Sequence, residues 1–127
     1  MKTYAEGNKV QEFYEHLTYR LESCQAKIAK HIEKIKKDAY YALEWSEDFF
    51  KNSAEERILK EILSMQKELT TPMTLKGMAD RYKEQALRDA KWFSKSTSPA
   101  SNLAKQYLTS VMVEMAETIE QFFAEDK

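Results

Sequence analysis

Residues 9–51, KVQEFYEHLTYRLESCQAKIAKHIEKIKKDAYYALEWSEDFFK, contain neither glycine nor proline. Their apolar positions are Val10, Phe13, Leu17, Leu21, Cys24, Ile28, Ile32, Ile35, Ala39 and Leu43. The steps between them run 3, 4, 4, 3, 4, 4, 3, 4, 4, an eleven-residue repeat. A period of about 3.67 residues keeps one apolar stripe on one side of a nearly straight α-helix. The pattern predicts one long N-terminal helix over 9–51, roughly 65 Å long at about 1.5 Å per residue. Either this helix bends near Asp38, or another chain covers what its own neighbours cannot reach.

Outward from this segment the chain reads as helix throughout. Stop and start signals predict three further helices over 54–69, 72–94 and 99–124. Asn8 is a candidate cap for the first helix, and Ser53-Ala54-Glu55-Glu56 has the form of a capping box for the second. Thr71-Pro72 and Ser98-Pro99 each place a cap residue before a proline at the first helical position, where the missing N–H costs nothing. Ile58, Ile62, Met65 and Leu69 align on the second helix. Leu75, Met78, Tyr82, Ala86, Ala90 and Phe93 align on the third. Leu103, Tyr107, Val111, Met115, Ile119 and Phe122 align on the fourth. Each set marks one buried face. Short connections imply antiparallel neighbours, so the expected fold is an all-α bundle of four to five helices in a single domain, 1–127.

Composition excludes much else. The chain has 127 residues with 2 Gly, 2 Pro and 1 Cys, too few turn residues for an all-β fold and too few glycines for a phosphate-binding loop. A lone Cys24 makes neither a disulfide framework nor a zinc ribbon. With 20 Lys and Arg against 21 Asp and Glu, the net charge of −1 lends no support to a general nucleic-acid binder. The first residues show no apolar export signal, and no apolar run approaches a membrane span. The expected location is cytoplasmic, where a single thiol stays reduced.

No catalytic, cofactor or metal site is expected. A di-iron bundle needs Glu-x-x-His on two helices. Phe13 and Ile28 stand three residues before His16 and His31, and both histidines fall on the first helix. Glu12 and His16, at i and i+4, read as a solvated pair. Cys24 lies on the apolar stripe, where a thiol is inert. Thr74-Leu75-Lys76-Gly77-Met78-Ala79-Asp80-Arg81-Tyr82 echoes the first helix of a helix-turn-helix, but the following residues simply continue the helix.

Three features remain. Tyr40, Tyr41, Trp45, Phe49 and Phe50 span more than half of a helix circumference, so they cannot all face the local core. Tyr and Trp combine apolar area with a polar tip and are favoured at interfaces. Trp92 and Phe93 are candidates to join them, with Met65, Met73, Met78, Met112 and Met115 as adaptable surface. Lys27, Lys30, Lys34 and Lys37 form a cationic ribbon suited to an anion. Glu114, Glu117, Glu120, Glu125 and Asp126 make the last helix acidic and able to lie against that ribbon. The expected function is non-catalytic: an adaptor, chaperone-like or assembly protein acting through helix faces, as a homo-oligomer or with a protein partner. The alternative is a nucleic-acid-associated accessory protein using the Lys ribbon.

Overall fold

A computed structural model of the chain describes residues 6–93 and 99–124. Among these it contains five α-helices and no strand: α1 (Glu6–Lys37), α2 (Tyr40–Glu44), α3 (Ser46–Ser64), α4 (Pro72–Phe93) and α5 (Pro99–Phe122). The all-α bundle built on a long first helix is therefore what the chain forms.

The first predicted helix is three elements, not one. The Asp38 amide closes the last turn of α1 on the Lys34 carbonyl at 2.9 Å. The Asp38 carboxylate then accepts the Tyr40 amide at 3.0 Å, an Asx turn that redirects the backbone. A second break falls at Trp45, whose φ of −114° and ψ of 20° leave the helical region. The expected stop at Asn52-Ser53 is absent, and α3 passes through it. Asn52 spends its polar groups on α1: its carbonyl accepts the Cys24 thiol at 3.0 Å, and its amide nitrogen donates to His31 Nε2 at 3.3 Å. Thus Ser53 caps nothing, and Asn8 likewise lies inside α1. The second helix ends at Ser64, short of 69, in a turn that ties the Leu69 amide to the Met65 carbonyl at 2.8 Å.

The α4 start is as expected. Thr71 and Thr74 exchange caps, each hydroxyl accepting the other's backbone amide at 3.1 Å, with Pro72 at the first helical position. Pro99 begins α5 as expected, while the cap assigned to Ser98 lies outside the described residues.

Contacts fix the helix directions. Along α1, Tyr14 donates to the Leu69 carbonyl at 2.5 Å, Arg20 pairs with Glu55 at 3.1 Å, and Cys24 meets Asn52. The partner numbers fall as α1 rises, so α1 and α3 are antiparallel. Phe50 and Ala54 share a groove with Ala104 and Leu108, while the far end of α5 reaches Phe13. Hence α5 runs with α3, and α4 packs on α5.

The core gathers Phe13, Leu17, Ile58, Leu59, Ile62, Leu75, Met115 and Ile119, all under 2% exposed. Phe13 is its aromatic lock, with ring centroids 5.2 Å from Phe122, 5.3 Å from Phe123 and 5.8 Å from Tyr14. Three of the five methionines read as surface, Met78, Met112 and Met115, are instead buried here. Met65 is half-buried, and only Met73 is exposed.

Candidate interaction surface at the α1–α3 elbow

The apolar stripe of α1 is sealed only within its first half, and even there Leu21 is half-buried. Val10, Phe13, Leu17 and Cys24 are 5% exposed or less. Beyond Cys24, Ile28 and Ile35 are half-buried and Ile32 is 41% exposed. The lower half of α1 meets both α3 and the end of α5. The contacts of the upper half come from α2 and α3, which fold back over it as an elbow.

His31 organises the elbow. Its Nε2 accepts the Asn52 amide, so the ring proton sits on Nδ1 and is given to the Tyr41 oxygen at 3.0 Å. The imidazole centroid lies 5.9 Å from the Tyr41 ring and 6.0 Å from Phe49. Tyr41 stacks on Trp45 at 6.1 Å, and the Lys34 ammonium sits 5.4 Å above the Tyr41 centroid, within cation–π range.

The five aromatics therefore divide. Tyr40 and Trp45 are exposed, at 62% and 47%. Tyr41 and Phe49 are half-buried around His31. Phe50 faces away from the elbow, into the groove between α3 and α5. The side chains of Trp92 and Phe93 lie outside those described.

The lysine ribbon stays on the surface. Lys27, Lys30, Lys34 and Lys37 are all exposed. Lys37 forms an i,i+4 pair with Glu33 at 3.6 Å. Lys34, Lys36 and Lys37 occupy the last turn of α1, where free carbonyls favour cations. Lys27 borders a polar groove of about 390 Å³ with His31, Asp48, Lys51, Asn52 and Glu55.

Among the described residues, no ion pair within the chain joins this ribbon to the acidic last helix. Glu120 bonds Lys83 of α4 at 2.7 Å, and that bond holds the Lys83 ammonium above its usual pKa. The acidic end of α5 lies beside Phe13, fourteen residues or about 20 Å down α1 from Lys27. Glu125 and Asp126 lie outside the described residues.

Cys24 is 3% exposed, and burial, reinforced by Glu55 and Glu56, raises its thiol to about 11. It is a packing residue. Among the described residues, no group of three or more His, Cys, Asp or Glu could hold a metal ion, and no helix is long and apolar enough to cross a membrane. No known protein family, curated protein or solved structure matches the chain.

Sequence reasoning missed His31 and Asn52 as the elbow's hinge pin. The available signal was position: His31 borders the stripe between Ile28 and Ile32, where a polar ring needs a partner. It also missed that Ile32, placed in the core by its period, is exposed.

Proposed function

We propose that the chain is a non-catalytic protein-interaction module, an adaptor, chaperone-like or assembly protein, whose contact surface is the elbow. The carrying observation is Ile32, a stripe residue left 41% exposed where Val10, Phe13, Leu17 and Cys24 earlier on the stripe are sealed, with Tyr40 and Trp45 of the elbow exposed as well. Exposed apolar and aromatic groups rimmed by polar ones mark partner surfaces. Lys34, over the Tyr41 ring that stacks on Trp45, puts positive charge on the aromatic side of the elbow, so that side suits an amphipathic helix with acidic flanks. A cytoplasmic setting suits the single reduced thiol.

Either a second copy or another protein provides the helix. The exposed Ile32 side chain favours this reading over nucleic acid, because a phosphate backbone offers it nothing to bury against.

The test is fluorescence anisotropy of a labelled helical peptide with a leucine face and glutamate flanks. The expected result is saturable binding, weakened about tenfold or more by Ile32→Ala with Trp45→Ala, and also by Lys30→Glu with Lys34→Glu. Equal binding by all variants refutes the surface. Tighter binding of duplex DNA or RNA than of the peptide transfers the ribbon to the nucleic-acid reading. Sedimentation across concentration distinguishes a second copy from a foreign partner.

A further inference from the structure

Away from the elbow, α4 carries a buried carboxylate with one oxygen left unpaired. Asp89 is 7% exposed. Its Oδ1 accepts the Gln85 amide nitrogen at 3.0 Å, but its Oδ2 has no hydrogen-bond partner. A buried polar atom without a partner loses its hydration and gains nothing in return. Position adds to the cost, since Asp89 is near the C-terminal end of α4, where the helix dipole disfavours an anion.

Asp89 borders a cavity of about 330 Å³ at the junction of α3, α4 and α5. Glu61 is the other carboxylate on its wall, and it already accepts the Tyr82 hydroxyl at 3.0 Å. Asp89 is thus the acceptor left over. Three cations line the same cavity, Arg81 and the pair Arg57 and Lys105. Both also border a second cavity, about 370 Å³, whose remaining lining of Phe50, Ser53, Ala54, Ala104 and Leu108 is mostly apolar. The junction therefore offers an unsatisfied acceptor, three cations and an apolar slot. Each cavity falls at the small end of the range for ligand sites.

We propose that this junction binds a free α-amino acid with a large apolar side chain. Its ammonium donates to Asp89 Oδ2, its carboxylate lies against Arg57 and Lys105, and its side chain enters the slot beside Phe50, Ala54 and Leu108. A simple anion would leave Asp89 unpaired, and a simple amine would leave the three cations unused. A zwitterion with an apolar arm satisfies all three poles. This site is independent of the elbow and stands or falls without it.

The experiment is a titration of the full isotope-labelled chain, followed by amide chemical shifts, with L-leucine and L-phenylalanine as probes. Three truncated probes accompany them: 4-methylpentanoate without the ammonium, 3-methylbutylamine without the carboxylate, and glycine without the apolar arm. The expected result is saturable shifts around Asp89, Arg57 and Lys105, with each truncated probe weaker by about tenfold or more. Asp89→Asn, nearly the same in shape, should abolish the preference for leucine over 4-methylpentanoate. Arg57→Gln and Lys105→Gln approach the site from the other pole, so the result does not hang on one variant's folding. No saturable binding of either amino acid up to about 10 mM overturns the proposal, leaving Asp89 Oδ2 to water. So does binding of a truncated probe as tight as leucine, or binding that Asp89→Asn leaves unchanged.

Discussion

Leu17 and Ile32 occupy the same stripe of the same helix, yet truncating them should have very different costs. Leu17 is fully buried. Leu17→Ala therefore removes the transfer free energy of the lost methyl groups and leaves a cavity, about 3–5 kcal/mol in all. Ile32 is 41% exposed, so it contributes only part of the roughly 1.5–3 kcal/mol of a sealed Ile side chain. Ile32→Ala opens its gap to water, leaving no sealed void. Alanine's better helix propensity returns a few tenths of a kcal/mol. The net cost should be about 1 kcal/mol or less. Urea unfolding followed by helical circular dichroism reads the contrast directly. With a slope of about 1–3 kcal/mol per molar, the Leu17 variant should lose about 1 M or more in midpoint, and the Ile32 variant well under that. Equal losses at low and high protein concentration alike would refute the half-covered stripe. A cost at Ile32 that grows with concentration would instead show a second copy covering it.

Gly77 is exposed within α4 with nothing within 4 Å of an added Cβ, so Gly77→Ala should stabilise by about 0.5–1 kcal/mol, read as a raised urea midpoint. Tyr14→Phe leaves the Leu69 carbonyl without its donor and should cost about 1–2 kcal/mol in the same assay. Burial lifts the Cys24 thiol from 9.0 to about 11 and the Tyr14 phenol from 10.0 to about 12. Both groups hold their protons more tightly when folded. Their contribution is complete below pH 9 and should fall across pH 9–11 for Cys24 and pH 10–12 for Tyr14, as measured by unfolding at stepped pH. In Cys24→Ala the first of these losses should disappear.

Helix identity and the buried faces were legible because they are local. The 3-and-4 spacing selects a face, and Thr71-Pro72 is a start signal satisfied within four residues. The breaks were less legible, because each depends on small competing terms. At Asp38, a carboxylate that could have pointed to solvent instead accepts the Tyr40 amide, and the helix turns. At Asn52 the opposite happened: a residue that commonly stops helices found partners on α1, 28 and 21 positions away, and the helix continued. Spacing identifies which face of α1 is apolar, but it cannot say how far along the neighbours extend. For the same reason the five aromatics looked like one surface and proved to be three environments. Asp89 gave no signal, since its burial is a property of three helices together.

The Phe13 lock gives α1 the mechanics of a cantilever. The rings of Phe122 and Phe123 clamp it near one end, while the other end rests on α2 and α3. A load applied at Ile32 or Trp45 acts through a stiff lever, and its displacement grows with distance from the clamp. Docking at the half-packed tip therefore need not disturb the sealed core around Phe13 at the root.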